Sequence, residues 1–194
     1  DLTLPHPPMD TPAKYFELYK DVELPSSIPV RKDGLPESLT VEMRAKDLDE
    51  YHRGYLAMIS MLDAQVGKVT GFLDQSGLRE NTIIIFFSDH GSMIGHHGLM
   101  AKKYFYKDVV NSPLIISHPE FGQGKVINRC VELLDLSQTM LSLYGCQEGD
   151  VARSHGEDLM PLLSGEGTYE RKFAHAEQKD VNMIQNASYK LISY

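Results

Sequence analysis

Short apolar runs bounded by polar or glycine residues are the clearest pattern in this chain. Residues 83–87 are five consecutive apolar residues, with Thr82 before them and Ser88 after them. Such a run is too short to span a membrane and is typical of a strand covered on both faces in an α/β sheet. A second run of this kind, at 113–117, begins with a proline and predicts another short buried strand. We predict the first of these strands at about 82–88.

A period of three to four residues predicts two helices. Apolar side chains recur with this spacing over residues 51–73, and the acidic run 47–50 before them suits the positive end of a helix. This pattern predicts a long amphipathic helix at about 48–76. Residues 131–145 begin as a short apolar run and continue as a second helix. At the start of that helix, Asp135 is expected to act as a cap or brace.

The two ends of the chain differ from its middle in their pattern of apolar residues and prolines. Residues 1–39 contain seven of the ten prolines and no apolar period, so we expect extended chain and loops there. Near the other end, apolar residues at 172–178 and 183–194 alternate or cluster as they do in antiparallel strands. The expected organisation is an α/β body at 1–167, followed by the start of a small antiparallel subdomain at 168–194.

Composition narrows the classes of function. The net charge of -8 and the pI near 5.4 argue against nucleic acid or a polybasic membrane contact as the main partner. No apolar run approaches about 18 residues, so no transmembrane helix is expected. Cys130 and Cys146 lack a zinc-ligand spacing and are expected to be buried. The sequence leaves open whether the two form a disulfide. The chain starts at Asp1 without an initiator methionine, as an internal segment of a longer protein would.

Polar residues follow the first predicted strand at once, in the run Ser88–Gly91. Ligands of open α/β sheets bind at the carboxyl ends of the strands, where Asp89 and His90 offer an oxygen and an imidazole nitrogen. The next residues place His97 and Lys102 among glycines. Such a loop suits an anion beside a metal ion. We interpret it as a binding loop rather than a solvated polar turn.

A motif at the end of this strand resembles that of a known family. Residues 88–102 read SDHGSMIGHHGLMAK. This run resembles the sulfatases, formylglycine-dependent enzymes of the alkaline phosphatase superfamily, which carry S-D-H-G-x-x-x-G-x-H-G-x-x-x-K after a hydrophobic strand. The helix at 48–76 is similar to the family pattern Y-x-x-x-(I/V)-x-x-x-D-x-x-V-G, and residues 5–8 resemble its P-H-x-P element. The resemblance covers most of the chain and implies part of a three-layer αβα core of the alkaline-phosphatase type.

The resemblance also implies roles for the polar residues that match the family pattern. Asp89 and His90 are expected to bind a divalent cation together with ligands from elsewhere, calcium being favoured and magnesium the alternative. His6 and Lys102 are expected to be catalytic residues that contact the sulfate group, with either able to protonate the leaving oxygen. His97 is a further candidate for substrate binding. The implied partner is a sulfated small molecule or glycan.

Two elements of the family's active site have no counterpart in this sequence. Neither cysteine lies in the C-x-(P/A)-x-R context from which formylglycine is made, and the chain contains no Asp-Asp pair. In the family both elements belong to the N-terminal half. We therefore interpret the chain as the C-terminal half of a sulfatase catalytic domain that is inactive alone. The formylglycine nucleophile is expected from the missing half.

Two other classes of function stay open at this point. A phosphoester or phosphonate hydrolase of the same superfamily shares the D-H-G strand end but tends to use zinc or manganese. A non-catalytic module can keep the fold and bind anionic glycans. The complete set of Asp89, His90, Lys102 and His6 argues against the module, because a scaffold without activity has no physical need for these residues.

Overall fold

The computed structural model describes residues 3–24, 45–146 and 155–193. Within these ranges the chain forms five α-helices and five β-strands: α1 (Ala13–Phe16), α2 (Ala45–Gln75), α3 (Lys107–Val110), α4 (Leu133–Leu143), α5 (Met160–Ser164), β1 (Ile84–Phe87), β2 (Leu114–Ser117), β3 (Ala174–Gln178), β4 (Val181–Gln185) and β5 (Lys190–Ser193). None of the helices in these ranges combines the length and the apolarity that a membrane crossing requires.

The backbone packs into two compact units. The first contains residues Asp1–Ile83 and His90–Lys102, and the second contains Ile84–Asp89 and Lys103–Tyr194. Strand β1 therefore belongs to the second unit, whereas the loop that follows it belongs to the first.

Helix α2 is the central element of the first unit. The amphipathic pattern predicts a helix at about 48–76, and the structure confirms it at Ala45–Gln75. Met58, on its inward side, is only 1% exposed. Gly54 lies so close to the N-terminal segment that a Cβ at this position would be 2.7 Å from the Cβ of Met9. The absence of a side chain at residue 54 therefore allows this segment to pack directly on the helix.

Polar contacts also tie the N-terminal segment to α2. The hydroxyl oxygens of Tyr19 and Ser60 are 2.6 Å apart. The guanidinium of Arg53 donates to the carbonyl of Tyr19 and to that of Val22. The turns and irregular chain at 3–12 and 20–24 agree with the predicted loops, whereas the short helices at 13–19 were not predicted. The rest of that predicted loop, residues 25–39, lies outside the described residues.

Strands β1 and β2 pair in antiparallel register in the second unit, with Phe87 opposite Leu114. The positions of both strands agree with the sequence prediction. Their expected burial on both faces is wrong for this chain, since Phe87 is 50% exposed and Ile115 is 62% exposed. Among the described residues β1 has β2 as its single hydrogen-bonded neighbour, so apolar side chains on this small sheet stay accessible.

Helix α4 carries a buried carboxylate, Asp135, which is 0% exposed. Its Oδ2 accepts the backbone N–H of Glu132 at 2.8 Å and completes a capping box, in agreement with the predicted role of Asp135 as a cap or brace. Arg171 Nη2 donates to Asp135 Oδ1 at 2.5 Å, and Arg171 Nη1 lies 2.9 Å from Glu132 Oε1. The hydroxyl of Tyr169 is 3.0 Å from Asp135 Oδ2. This network connects α4 to the segment that leads into β3.

Strands β3, β4 and β5 form an antiparallel sheet in that order. Their presence confirms the antiparallel strands predicted for the C-terminal part. The predicted stretch 183–194 contains part of β4 and all of β5, separated by a turn at Asn186, whose Oδ1 accepts the N–H groups of Ser188 and Tyr189. The proposed domain boundary at residues 167–168 stays a prediction.

The two cysteines are free thiols. Cys130 is half-buried, whereas Cys146 is exposed just after the end of α4, where its N–H donates to the carbonyl of Leu141 at 3.0 Å. The expectation that both cysteines are buried is therefore wrong for Cys146. A thiol beyond the last turn of an amphipathic helix no longer follows the helix's inward face, which explains its exposure.

Candidate functional site

The loop of residues 90–102 follows β1 and carries most of the predicted site residues. Its backbone closes on itself: the N–H of Met93 donates to the carbonyl of Ala101 at 2.8 Å, and that of Gly95 donates to the carbonyl of Leu99 at 2.9 Å. The side chains of Met93 and Leu99 are 0% exposed and anchor the loop in the first unit. These contacts hold the two ends of the loop beside each other.

Several residues of this loop adopt left-handed backbone conformations. Ile94, His97 and Ala101 have φ angles of 36°, 54° and 65°. For residues other than glycine this conformation costs on the order of 1–3 kcal/mol and persists where the surrounding structure enforces it, often at functional sites. Gly95 has a φ of 92°, and a Cβ there would lie 2.5 Å from Cδ1 of Leu48. Glycine is therefore needed where the loop meets α2.

His90 and Lys102 contact each other across the two ends of the loop. The Nζ of Lys102 lies 2.7 Å from Nε2 of His90. The Nδ1 of His90 lies 2.8 Å from the carbonyl oxygen of Gly91, and because a carbonyl only accepts, Nδ1 carries the proton. Nε2 therefore holds the ring's lone pair and accepts from the lysine ammonium. The structure thus brings together two of the predicted site residues that are twelve positions apart.

Asp89 is the residue directly before His90 and is exposed two positions beyond the end of β1. Across the part of the chain that the structure describes, no group of three or more His, Cys, Asp and Glu side chains is arranged to hold a metal ion. Calcium takes about six to eight oxygen ligands, and magnesium requires near-octahedral coordination. Asp89 and His90 therefore have the chemistry of metal ligands but can form only part of a coordination shell.

His6 and His97 occupy other positions in the first unit. His6 is exposed, and its Nδ1 lies 2.8 Å from the carbonyl oxygen of Pro7, so Nδ1 donates and Nε2 has a lone pair. The peptide bonds before Pro5 and Pro8 are cis. His97 stands in the 3₁₀ turn His96–Gly98 with a left-handed backbone. The roles of His6 and His97 toward a substrate stay predictions.

An aromatic run, residues 104–106, follows Lys102 in the sequence and lies in the second unit. The rings of Tyr104 and Tyr106 have centroids 6.3 Å apart, and burial raises the pKa of Tyr104, with Tyr106 adding to the shift. Lys190 on β5 donates from Nζ to the carbonyl of Phe105 at 2.6 Å, and burial lowers the pKa of Lys190. This contact connects the C-terminal sheet to the aromatic run.

His52 on α2 is a contact residue of the loop that the sequence reading did not identify. Its Nε2 donates to the carbonyl of Ile94, 42 positions away in the sequence. The available signal was its position on the helix, four residues after Leu48 and thus on the same face. The spacing of apolar residues predicts the helix but assigns no role to a polar residue on that face.

The family profile named Sulfatase matches residues 3–146. The chain belongs to the sulfatase family. The matched range includes His6, α2 and the whole loop of residues 90–102, so it contains each motif on which the resemblance was based. Strands β3 to β5 lie C-terminal to it.

Curated and solved relatives agree with this membership. A protein named Sulfatase from Formosa agariphila is 29% identical over 206 residues, which cover 98% of this chain and 40% of the relative. A protein solved in complex with its substrate, D-glucosamine-2-N,6-O-disulfate, has a TM-score of 0.63 at 28% identity, covering 76% of this chain and 32% of that one. This sulfatase chain thus spans less than half the length of either relative.

The fold is also that of a phosphonate monoester hydrolase from Silicibacter pomeroyi. The TM-score is 0.83 at 23% identity, with 98% of this chain and 46% of that chain covered. At this identity the likeness concerns the fold alone. The predicted α/β fold of the alkaline-phosphatase type, continued by small antiparallel strands, is confirmed.

Proposed function

We propose that the full-length protein containing this chain hydrolyses sulfuric esters and that the chain supplies part of the site for the sulfate group and a metal ion. The observation that carries this proposal is the contact between Lys102 and His90, which stands in the family motif of a sulfatase-family chain. The nucleophile, formylglycine, is proposed to come from a segment outside this chain. The chain alone is therefore expected to be inactive.

Asp89 and His90 are proposed to hold the divalent cation. The carboxylate oxygen of Asp89 suits calcium or magnesium, whereas the imidazole of His90 does not select between metals. Calcium is the favoured ion and magnesium the alternative, on the resemblance to the family. When bound, the cation supplies charge neutralisation for the sulfate oxygens. The remaining ligands are proposed to come from outside the described residues.

Lys102 is proposed to bind the sulfate group and to stabilise charge on the leaving oxygen. A lysine ammonium has three N–H donors. One of them is directed at His90 Nε2 and would be released when that nitrogen binds the cation, so at least two are available for an anion. Lys102 is exposed, so its ammonium is accessible to an anion from solution. Donors aimed at an oxygen on which negative charge develops lower the barrier of group transfer.

His6 is proposed as a second sulfate contact and as a proton donor. Because its Nδ1 is engaged with the carbonyl of Pro7, Nε2 is the ring atom that can carry and release a proton. When the S–O bond of the ester breaks, the leaving oxygen needs one proton, and His6 or Lys102 is proposed to give it. Water restores that proton in the hydrolysis as a whole. His97 is proposed as an additional substrate contact.

The substrate is proposed to be a sulfated small molecule or glycan. Support comes from the solved relative that was determined in complex with D-glucosamine-2-N,6-O-disulfate. The net charge of -8 means that a sulfate ester must be attracted locally. Lys102 supplies a positive charge at the end of the loop. The phosphonate hydrolase alternative has less support, since two solved phosphonate monoester hydrolases, each 23% identical, are similar in fold only.

The test is hydrolysis of matched aryl esters by the full-length protein. Wild type, Asp89→Ala and Lys102→Ala are assayed on p-nitrophenyl sulfate and p-nitrophenyl phosphate, with release of sulfate from D-glucosamine-2-N,6-O-disulfate followed separately. We expect sulfate turnover that falls about 10²-fold or more in both variants. Lys103→Ala is the matched control, because it removes the same charge from the next, also exposed, residue.

Each outcome separates the candidate functions. Sulfate ester hydrolysis lost in both variants, with unchanged thermal unfolding, supports the sulfatase proposal and both roles. Preferential phosphate ester hydrolysis moves the protein to the phosphoester branch of the superfamily. Binding of sulfated sugars without turnover of any ester identifies a non-catalytic module instead.

A further inference from the structure

Two side chains of α2 contact consecutive residues of the loop at 90–102. Leu48 and His52 are one helical turn apart and lie on the same face. The Cδ atoms of Leu48 fill the space where Gly95 has no Cβ, and Nε2 of His52 donates to the carbonyl of Ile94. The helix therefore holds the loop at one point through an apolar contact and a hydrogen bond.

Ile94 and Gly95, the two residues held in this way, are among the loop residues with a positive φ angle. Ile94 has a φ of 36° and is followed by Gly95 at 92°. A β-branched residue rarely adopts a positive φ, so an outside contact is needed to keep it there. His52 donates its hydrogen bond to the carbonyl of the strained residue itself. Without this hydrogen bond, relief of the backbone strain at Ile94 would favour a different conformation of the loop.

The loop's own hydrogen bonds connect this point to the site residues. Met93, next to Ile94, donates its N–H to the carbonyl of Ala101 at 2.8 Å, and Ala101 precedes Lys102. Lys102 in turn contacts His90 at 2.7 Å. A shift of Ile94 is therefore transmitted through the Met93–Ala101 hydrogen bond to Lys102, and through the Lys102–His90 hydrogen bond to His90.

We propose that His52 is a positioning residue that sets the placement of the Lys102 ammonium by holding the carbonyl of Ile94. This inference rests on the proposed function for its catalytic consequence. His52 touches neither substrate nor cation in this role; it acts through the backbone of residues 93–101. A displacement of about 1 Å at a catalytic group can reduce turnover about 100-fold, so this contact is expected to affect rate more than folding.

The experiment compares two substitutions of His52 in the full-length protein. His52→Leu removes the donor, whereas His52→Gln keeps an N–H group at a similar reach. Ser60→Ala is the matched control, because it removes another tertiary hydrogen bond of α2, the one to Tyr19, far along the helix from the loop contact. Each variant is examined by steady-state kinetics on p-nitrophenyl sulfate and by hydrogen exchange of peptides that cover residues 90–102.

We expect His52→Leu to lower kcat at least about tenfold with KM changed by less than about threefold. The reason is that a displaced Lys102 ammonium stabilises the transition state less while substrate binding changes little. Exchange of the 90–102 peptides is expected to accelerate in this variant while that of α2 does not. His52→Gln is expected to restore both quantities, and Ser60→Ala is expected to leave them at the wild-type values. Equal kcat in His52→Leu and Ser60→Ala, or loop exchange unchanged in His52→Leu, would overturn the proposal.

The exchange measurement also separates this inference from the proposed function. If the wild-type protein hydrolyses no ester, the sulfatase proposal fails, and the hydrogen exchange of the loop alone decides the role of His52. Faster exchange confined to residues 90–102 in His52→Leu and reversed in His52→Gln then supports the positioning role. Unchanged loop exchange, or faster exchange spread over the whole first unit, rejects it.

Discussion

The Nζ of Lys102 lies 2.7 Å from the Nε2 of His90, so a lysine ammonium occupies the ring lone pair through which His90 would bind a metal ion. The other ring nitrogen is committed to the carbonyl of Gly91. One lone pair thus has two potential partners, a lysine and a cation. Both are positive, so they also repel each other.

The first prediction concerns competition between the Lys102 ammonium and a metal cation for the lone pair of His90 Nε2. Lys102→Met, which keeps the length of the side chain, is expected to tighten binding of calcium to the full-length protein while reducing sulfate ester turnover. Removing a unit charge near the cation is worth roughly 1 kcal/mol in a well-solvated site, which corresponds to about fivefold in Kd. Isothermal titration calorimetry measures this affinity without depending on activity. Lys103→Met is the control, and calcium binding that is weaker in Lys102→Met than in this control would contradict the prediction.

The second prediction concerns the buried ion pair in the second unit. Arg171→Met is expected to reduce the free energy of unfolding by about 3–5 kcal/mol, because it leaves the carboxylate of Asp135 buried without its counter-charge. Asp135 is 0% exposed, and Glu132, the other partner of Arg171, is 9% exposed in its side chain. Denaturant unfolding of the full-length protein measures the effect. Lys172→Met removes the same charge from an exposed neighbour and is expected to change stability little.

A loss in Arg171→Met no greater than that in Lys172→Met would show that the pair contributes little beyond a surface ion pair. Arg171→Lys gives a second comparison, since lysine keeps the charge but not the forked geometry that reaches both carboxylates. It is expected to recover only part of the lost stability.

The two longer helices and the strands of this fold were predictable from local patterns, with differences at their ends, whereas the short helices α1, α3 and α5 were not. The period of apolar residues predicts a helix at 48–76, and α2 spans Ala45–Gln75. Strand β1 starts at Ile84 rather than at the predicted residue 82. The reason is that Thr82 donates its hydroxyl to the carbonyl of Leu78 at 2.8 Å and so belongs to the turn before the strand. Such side-chain to backbone bonds are not visible in hydrophobic spacing.

The third prediction concerns the close approach of the loop to α2. Gly95→Ala is expected to destabilise the protein by about 1–3 kcal/mol, because alanine is strained at a φ of 92° and its Cβ would meet Leu48 at 2.5 Å. Gly67→Ala is the matched control. Gly67 lies within α2, and apart from its chain neighbours and the helix backbone no atom lies within 4 Å of its would-be Cβ, so alanine there is expected to stabilise by about 0.5–1 kcal/mol.

The two causes of the Gly95 effect can be separated by a double-mutant cycle. Leu48→Ala removes the steric contact but not the backbone strain. We expect the combination Leu48→Ala with Gly95→Ala to lose less stability than the sum of the single losses, by at least about 0.5 kcal/mol. Additive losses would mean that backbone strain alone accounts for the requirement for glycine.

For the candidate site, the sequence could predict which residues share a motif but not which of them are in contact, and their chemical roles stay predictions. Lys102 and His90 are twelve positions apart, and the motif predicts that both belong to the site, although not that they contact each other directly. His52 and Ile94 are 42 positions apart, and Arg171 lies 36 positions from Asp135. The first contact depends on how the loop packs on α2, and the second on how the segment before β3 packs on α4. No local pattern contains that information, so they become visible only in the structure.

The last prediction concerns stability at alkaline pH. Burial raises the pKa of Tyr169 above its ordinary value, and the nearby carboxylate of Asp135, 3.0 Å from the hydroxyl, adds to the shift. In the unfolded chain a tyrosine ionises near pH 10. Above that pH the unfolded state releases this proton before the folded state does. The contribution of Tyr169 to stability is therefore complete below about pH 10 and declines as the pH rises further.

Tyr169→Phe isolates this effect. The free energy of unfolding is measured in denaturant at pH 8 and at pH 10.5 for wild type, Tyr169→Phe and Tyr189→Phe. Tyr189 is 80% exposed and serves as the control. Wild type and Tyr189→Phe are expected to lose more stability between the two pH values than Tyr169→Phe does, because phenylalanine has no proton to release. An equal loss in all three proteins would mean that the alkaline sensitivity arises from other groups and that the hydroxyl of Tyr169 ionises as easily in the folded state as in the unfolded chain.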